Sequence, residues 1–130
     1  GIEATVAILD NQALPVIEIV PPKGSWFNYQ NKYSGATLEI IGAPSLSEKI
    51  KRRIQKIAQT IHQKLKLGPY SRIDFIISEK TPYVLEVNTI PGLTSESLFP
   101  KAAKAAGISF PKLLDKIIKI AYANKIPKSK

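Results

Sequence analysis

The order of the predicted elements indicates an α+β fold built around a mainly antiparallel sheet. Two strands come first, followed by an amphipathic helix, a hairpin and two more helices. Strands that are grouped together, rather than alternating one by one with helices, are typical of an antiparallel sheet packed with helices. The chain has 130 residues, which suits a single domain, residues 1–130, with one hydrophobic core.

The first two strands are predicted on either side of a tight turn. TVAILD and ALPVIEIV are rich in β-branched residues, and Asp10 and Asn11 between them favour a turn. The segment from Pro21 to Gly35 then has no periodic pattern. Because loops of this length are often lids or binding loops, we expect this segment to contribute to a site.

The segment SLSEKIKRRIQKIAQTIHQKLKLG predicts an amphipathic helix. Ser45 with Glu48 predicts a capping box at its start, and Gly68 is a natural stop. His62 lies beside the apolar stripe, which favours a packing role over catalysis. The stripe has helical spacing and consists of Leu46, Ile50, Ile54, Ile57, Ala58, Ile61 and Leu65.

Two further helices are predicted at the end of the chain. A short Ala-rich helix is expected to follow Pro100 and to end near Gly107. The last helix is expected to begin near Pro111, since proline is favoured in the first turn. Its predicted buried residues are Leu113, Leu114, Ile117, Ile118 and Ala121.

Composition excludes several classes of site. The chain has no cysteine, so it has neither a disulfide framework nor a thiolate metal site, and this fits a reducing compartment. His62 is the single histidine, which argues against a zinc site built on histidines. We see no signal peptide and no apolar run that could span a membrane, so we expect a cytoplasmic location without a membrane partner.

The charge balance favours anionic partners. The net charge is +9, from 19 basic and 10 acidic residues. Nucleic acid, nucleotide phosphates and small carboxylates are the candidate ligands, and a solvated basic surface is the simpler interpretation of most of these residues. A nucleic-acid-binding domain stays an alternative function, but we do not expect it because no motif of a known nucleic-acid module accompanies the charge.

RIDFII and YVLEVN predict a hairpin with one polar and one apolar face. If Ile77 faces Tyr83 across the loop SEKTP, side-chain alternation separates two sets of residues. The polar set consists of Arg72, Asp74, Glu86 and Asn88, with Asp74 opposite Glu86 and Arg72 opposite Asn88. The apolar set, which is expected to face the core, consists of Ile73, Phe75, Leu85 and Val87.

The polar face places two carboxylates about 5 Å apart, where they repel each other. Arg72 could offset part of this repulsion, and a divalent cation would offset more of it. Asp74, Glu86 and Asn88 offer only oxygen ligands, which Mg²⁺ prefers. A solvent-facing polar surface with a salt bridge fits the hairpin alone equally well.

The sequence TIPGLTSESLFP, which follows Asn88, favours the site interpretation. Gly92 allows a turn and the close approach of a ligand. Thr94, Ser95 and Ser97 are capping residues at which a helix can start, and a helix N-terminus binds anions. A metal-binding face that leads into such a turn is typical of a catalytic arrangement.

Several strings together resemble the C-terminal part of D-alanine–D-alanine ligases, within the ATP-grasp superfamily. The most specific is LEVNTIPGLTSESLFPKAAKAAGISFPKLL with RIDF before it. GIEATVAIL, LPVIEI and the loop ending NKYSG resemble the family as well, so the resemblance runs from residue 1 to about Tyr122. It implies a C-terminal ATP-grasp subdomain.

The resemblance implies an enzyme that joins two D-alanines for peptidoglycan precursors. ATP phosphorylates the carboxylate of one D-alanine, and the amine of the second attacks the acylphosphate. The implied cofactors are ATP and two Mg²⁺ ions, with Mn²⁺ as a substitute. Asp74, Glu86 and Asn88 are implied as the metal ligands, with Glu86 bridging the two ions.

Other residues acquire implied roles in the acyl-transfer step. Arg72 and the backbone N–H of Gly92 are expected to stabilise the oxyanion of the tetrahedral intermediate. Ser97 and the backbone N–H of Leu98 are expected to hold the carboxylate of the second D-alanine. Tyr33 is expected to close the acceptor end of the site and to favour D-alanine over D-lactate.

The resemblance also implies a nucleotide site. The loop from Pro21 to Gly35 is expected to act as a lid, with Lys32 reaching the γ-phosphate. Trp26 and Leu85 match positions that pack on the adenine, and Glu3 matches a ribose-binding acid.

The family's enzymes are longer than this chain. We therefore expect this chain to be a piece of a longer protein. The chain is expected to lack the N-terminal domain and the first half of the ATP site, and to be inactive alone. The missing N-terminal part is its expected partner, and the parent is expected to be a homodimer. An ATP-grasp ligase with a different acceptor stays an alternative.

Overall fold

A six-stranded antiparallel sheet forms the centre of the computed structural model, which describes residues 1–22 and 37–125. The order across the sheet is β4-β3-β1-β5-β6, and the short β2 also pairs with β1. The strands are β1 (Ile2–Leu9), β2 (Gln12–Ala13), β3 (Ile17–Val20), β4 (Leu38–Ile41), β5 (Tyr70–Ser78) and β6 (Thr81–Asn88).

Helices cover both faces of this sheet, so the predicted α+β class is confirmed. The helices are α1 (Glu48–Leu65), α2 (Leu98–Ala105) and α3 (Phe110–Lys125). Helix α1 packs on one face, and α2 and α3 pack on the other. In the part of the chain that the structure describes, no helix is both long and apolar enough to cross a bilayer.

The sheet divides the apolar interior into two clusters, instead of the single core that the chain length suggested. Alternate residues of β1 point to opposite faces. Val6 and Ile8 pack with Ile54 of α1, whereas Ala7 and Leu9 enter the cluster of α2 and α3. The α2–α3 cluster also takes Ile17 and Ile19 from β3, which pair with Thr5 and Glu3 of β1.

The first predicted turn is confirmed, and one strand lacked a sequence signal. Asp10 and Asn11 have φ values of 50° and 62°, and Leu9 pairs with Gln12 across them. Two successive positive φ values are the geometry of a two-residue hairpin turn. Strand β4 was not predicted; it is an edge strand whose residues are all exposed.

The ends of α1 differ from the prediction. Ser47, not Ser45, is the N-cap, and its hydroxyl accepts a 3.4 Å hydrogen bond from the Ile50 N–H. The Ser45 N–H instead donates to Glu18 of β3 at 3.1 Å, which fixes the loop before the helix. The helix ends when Lys66 adopts the left-handed conformation, with φ 53°, two residues before Gly68.

The two C-terminal helices require two corrections. Helix α2 begins at Leu98, two residues before Pro100. Proline has no backbone N–H, but it is tolerated in the first turn of a helix because N–H groups there have no intrahelical acceptor. In α3, the predicted burial of Ile118 is wrong: its side chain is 67% exposed, and Ile120 packs against the core instead. Leu113 is fully buried, as predicted.

His62 has a structural environment, as the sequence predicted. Its ring is buried, and Nδ1 lies 2.7 Å from the hydroxyl of Ser71 on β5. Burial lowers the pKa of His62, and this outweighs the opposite effect of a backbone hydrogen bond at Gly68. The residue therefore joins α1 to the sheet as a neutral imidazole.

Candidate active site

The polar pairs predicted for the second hairpin are present. Asp74 of β5 pairs with Glu86 of β6, and Arg72 pairs with Asn88. The loop is shorter than predicted, because Ser78 pairs with Thr81 and only two residues form the turn. Both turn residues, 79 and 80, have positive φ values, as in the first hairpin.

A β-bulge reconciles this short turn with the polar pairs. The register shifts between Asp74 and Phe75, so that Phe75 pairs with Val84 and Leu85 is the extra residue of β6. The side chain of Leu85 is 54% exposed, so its predicted core role is wrong. The other members of the predicted apolar face, Ile73, Phe75 and Val87, do pack in the α1 cluster.

Asp74 is the centre of a hydrogen-bonded network on the polar face. Arg72 donates to both of its oxygens, from Nε to Oδ1 at 3.0 Å and from Nη2 to Oδ2 at 2.8 Å. Thr5 of the neighbouring strand β1 donates its hydroxyl proton to Oδ1 at 2.5 Å. Asp74 is only 6% exposed and Arg72 only 8% exposed, so this is a buried ion pair.

Two opposing effects set the pKa of Asp74. Burial alone would raise it, because a buried carboxylate loses solvation. The hydrogen bonds and charge of Arg72, together with the hydroxyl of Thr5, outweigh this and hold the pKa below its usual value. Asp74 is therefore a carboxylate at neutral pH.

Asn88 connects the two carboxylates of the polar face. Its Nδ2 lies 3.0 Å from Oε1 of Glu86 and 3.3 Å from Oδ2 of Asp74. An electropositive group thus occupies the space between the two acids. Turning the amide over would present a third oxygen to that space, so the donor chemistry of these three residues fits a Mg²⁺ ion. Among the described residues, no group of three or more His, Cys, Asp or Glu side chains is arranged to hold a metal ion, so the amide of Asn88 is needed as the third ligand.

The turn after β6 is built around the contact between Gly92 and Ser97. A Cβ atom at Gly92 would lie 2.7 Å from Oγ of Ser97, so only glycine fits there without movement. Gly92 does not have a positive φ; close approach, not turn geometry, is therefore the reason for this glycine. The Ser97 hydroxyl also lies 2.8 Å from Oγ1 of Thr94 and accepts from its N–H at 3.3 Å.

Ser97 and Leu98 stand at the start of α2. Ser97 is the N-cap, and its side chain makes no capping hydrogen bond, since its Oγ is directed to the Thr94 turn instead. Leu98 is the first residue of the helix. First-turn N–H groups have no intrahelical acceptor, so the main chain here can bind a carboxylate.

One cleft of about 700 Å³ joins the polar face to this turn. Of the predicted site residues, it brings together Arg72, Asn88, Gly92, Ser97 and Leu98. Asp74 and Glu86 adjoin it through their contacts with Arg72 and Asn88. Glu3 is half-buried, two residues before Thr5 on the same face of β1. The remaining predictions, Trp26, Lys32 and Tyr33, lie outside the described residues, as does most of the predicted lid.

The sequence interpretation missed an ion pair in the wall of this cleft. Lys101 of α2 lies 2.7 Å from Oε2 of Glu39 on β4 and 3.7 Å from Glu96. The hydrogen bond to Glu39 raises the pKa of Lys101. The spacing of four residues between Ser97 and Lys101 could have shown that the two lie on the same face of a helix. No sequence pattern near Lys101 indicated that its partner is Glu39 of β4.

Comparison with known proteins supports a single family. The chain matches the family described as "D-ala D-ala ligase C-terminus" over residues 1–119. The D-alanine--D-alanine ligases of Maridesulfovibrio salexigens and Syntrophobacter fumaroxidans are 46% and 48% identical to it over 126 residues. These alignments cover 96% and 93% of this chain.

This chain belongs to the D-alanine–D-alanine ligase family. A solved D-alanine--D-alanine ligase from Bacillus anthracis, complexed with ATP, matches it with a TM-score of 0.80 and 37% identity over 95% of this chain. The ligase from Coxiella burnetii matches with a TM-score of 0.76 and 30% identity. The fold is therefore that of the C-terminal ATP-grasp region of this family. The chain spans only 42% and 40% of the two curated relatives and 39% of the Bacillus anthracis ligase.

Proposed function

We propose that this chain supplies the metal-binding and acceptor-binding half of an ATP-dependent ligase that joins two D-alanines into D-alanyl-D-alanine. The observation that carries the proposal is the single cleft that joins the polar face of the hairpin to the turn at Gly92 and Ser97. The proposed product is a peptidoglycan precursor, formed through an acylphosphate. The family membership and the ATP bound to the Bacillus anthracis ligase support this assignment.

Asp74, Glu86 and Asn88 are the proposed ligands that would hold the two Mg²⁺ ions. When bound, Mg²⁺ neutralises phosphate charge and orients the nucleotide. Asp74 contributes a fixed carboxylate, since Thr5 and Arg72 hold it from two sides. Glu86 is exposed, so it can adjust its position around a ligand.

Arg72 and the Gly92 N–H are proposed to stabilise the oxyanion that forms when the acceptor amine attacks. Arg72 uses two of its five N–H bonds on Asp74 and still lines the cleft. The ion pair therefore holds the guanidinium in one orientation without consuming its donor capacity. Removing one such preorganised donor typically lowers kcat about 10²–10³-fold.

The start of α2 is proposed to bind the carboxylate of the second D-alanine. The Ser97 hydroxyl and the Leu98 N–H provide two donors side by side at a helix N-terminus. Tyr33 is proposed to close this end of the site and to select D-alanine over D-lactate as acceptor.

The nucleotide is proposed to lie across the β1 and β6 side of the cleft. Leu85 is half-exposed at the bulge, which makes its side chain available for packing on an adenine. Glu3 is proposed to bind the ribose, Lys32 the γ-phosphate and Trp26 the adenine.

The rest of the same polypeptide is the proposed partner of this chain. Relatives extend well beyond the matched region, so the first D-alanine and the other half of the nucleotide site are proposed to bind there. We expect the chain alone to be inactive, and the parent to be a cytoplasmic homodimer.

Phosphate release by the full-length protein, with ATP, Mg²⁺ and D-alanine, tests this function. We expect D-alanyl-D-alanine as the product and little turnover when D-lactate is the acceptor. A full-length protein that makes no dipeptide would refute the proposal, and efficient use of D-lactate would refute the role of Tyr33.

Glu86→Gln tests the metal assignment in the same protein. The exchange removes one charge from an exposed side chain, so we expect a loss of about 100-fold or more in turnover with an unchanged melting temperature. Glu79→Gln is the matched control, because it removes the same charge from the exposed turn of the same hairpin. Equal turnover in the two variants would contradict the role of Glu86.

A further inference from the structure

Thr5 is a buried polar residue within an apolar strand, and it is neither a proposed metal ligand nor a proposed substrate contact. It lies in β1 between Ala4 and Val6 and is only 1% exposed. It pairs directly with Asp74 across the β1–β5 register. Its hydroxyl lies 2.5 Å from Oδ1 of Asp74 and 3.3 Å from the carbonyl of Ile73. Because a hydroxyl has one proton, the shorter contact identifies the carboxylate as its acceptor.

The two carboxylate oxygens of Asp74 have different hydrogen-bond partners. Oδ1 accepts from Thr5 and from Nε of Arg72. Oδ2 accepts from Nη2 of Arg72 and faces Asn88, whose amide also contacts Glu86. Only Oδ2 therefore adjoins the space between the two carboxylates.

We propose that Thr5 is a positioning residue that fixes the Asp74 carboxylate so that Oδ2 is presented to a divalent cation. The proposal rests on the proposed function, since it takes Asp74 as a metal ligand. A hydrogen bond that orients a ligating carboxylate typically changes metal affinity 10–100-fold. Thr5 would touch neither the metal nor the substrates.

Three substitutions in the full-length protein separate the hydroxyl from the rest of the side chain. Thr5→Val keeps the shape and removes the hydroxyl. Thr5→Ser and Thr5→Ala form a second pair that differs only in the oxygen atom, which keeps the comparison available if Thr5→Val does not fold. Ser71→Ala is the matched control, because Ser71 is a buried hydroxyl of the same sheet that contacts His62 instead of Asp74.

The primary measurement is Mn²⁺ binding, followed by electron paramagnetic resonance in the presence of a non-hydrolysable ATP analogue. We expect Thr5→Val and Thr5→Ala to raise the Mn²⁺ dissociation constant about 10–100-fold, and Thr5→Ser to restore most of the affinity. Ser71→Ala is expected to lower the melting temperature without changing Mn²⁺ binding. The Mg²⁺ concentration for half-maximal phosphate release should rise in parallel, while KM for D-alanine at saturating Mg²⁺ stays constant.

Two results would overturn the positioning role. One is wild-type Mn²⁺ affinity in both Thr5→Val and Thr5→Ala. The other is a loss in Thr5→Ser as large as that in Thr5→Ala, since this would make the methyl group the important part. A wild-type protein that binds Mn²⁺ but makes no D-alanyl-D-alanine would refute the proposed function alone, and the effect of Thr5 would still be measurable by resonance.

Discussion

Replacement of Arg72 by methionine gives the strongest stability prediction for this chain. Methionine retains most of the apolar stem but removes the guanidinium, which leaves the Asp74 carboxylate buried without its counter-charge. Both residues are less than 10% exposed, and two hydrogen bonds of 3.0 and 2.8 Å join them. Breaking one partner of such a buried pair costs about 3–5 kcal/mol.

The lower end of that range applies here. Thr5 and Asn88 donate to Asp74 at 2.5 and 3.3 Å, and the exchange removes neither donor, so we expect the carboxylate to keep part of its stabilisation. We therefore expect the free energy of unfolding at pH 7 to fall by about 3 kcal/mol. With a urea m-value of about 1.5 kcal/mol/M, the unfolding midpoint falls by about 2 M.

Urea unfolding of the 130-residue chain in metal-free buffer, followed by circular dichroism, measures this change. Arg53→Met is the matched control, since Arg53 is exposed on α1 and its loss is expected to change stability by less than about 0.5 kcal/mol. The double variant Arg72→Met/Asp74→Asn removes both charges and should be more stable than Arg72→Met alone. The reasoning fails if Arg72→Met and Arg53→Met unfold at the same urea concentration, or if the double variant recovers nothing.

The dependence on pH supplies a second, independent check. In the wild type the pKa of Asp74 lies below its unfolded value of about 3.9, so its stabilising contribution is present above that value and is lost as the pH falls through the folded pKa. Without Arg72, burial raises the folded pKa above 3.9. In Arg72→Met, the unpaired carboxylate then destabilises the fold at high pH, and its protonation on acidification removes this effect. The difference in the free energy of unfolding between wild type and variant should therefore shrink below about pH 5.

Two further predictions concern His62 and Gly92. Because burial lowers the pKa of His62 below its unfolded value of about 6.5, we expect wild-type stability to fall as the pH drops through 6.5, and urea midpoints at pH 7.5 and 5.5 should show this. His62→Gln should remove that loss, and an unchanged pH dependence in the variant would refute the assignment. Gly92→Ala places a Cβ 2.7 Å from Oγ of Ser97, so we expect the hydroxyl to rotate and KM for the acceptor D-alanine to rise several-fold in the full-length protein. A KM equal to that of the wild type would show that the Ser97 hydroxyl does not bind the acceptor.

Periodic patterns predicted most of the elements of this fold, and the limits of these patterns explain the errors. Alternation and turn chemistry were enough for the hairpin at Asp10-Asn11, where both residues tolerate positive φ. Strand β4 lacked such a signal, because it is an exposed edge that is held by pairing with β3. The start of α1 could not be chosen between Ser45 and Ser47 locally, since the contact from Ser45 to Glu18 spans 27 residues.

The sequence predicted the part of the candidate site that lies within one hairpin, where side-chain alternation applies. Arg72, Asp74, Glu86 and Asn88 were grouped correctly because they belong to one hairpin. The contact of Thr5 with Asp74 joins residues 69 positions apart, on strands whose pairing no local pattern specified. A threonine between Ala4 and Val6 was the available signal, since a polar residue in a buried strand needs a partner.

The bulge at Leu85 explains why the hairpin register was correct around the site and incorrect at the turn. A regular ladder that keeps Asp74 opposite Glu86 would place Ile77 opposite Tyr83 and leave a five-residue loop. The structure instead closes the turn with two residues and places Ile77 opposite Pro82. One inserted residue in β6, Leu85, compensates for this difference beside the Asp74–Glu86 pair, where the polar face begins. Because Leu85 is the inserted residue, it does not pack in the core, and its apolar side chain is exposed beside the carboxylates. A local break in alternation next to paired acids therefore places the face proposed to bind metal beside the apolar side chain proposed to pack on the nucleotide.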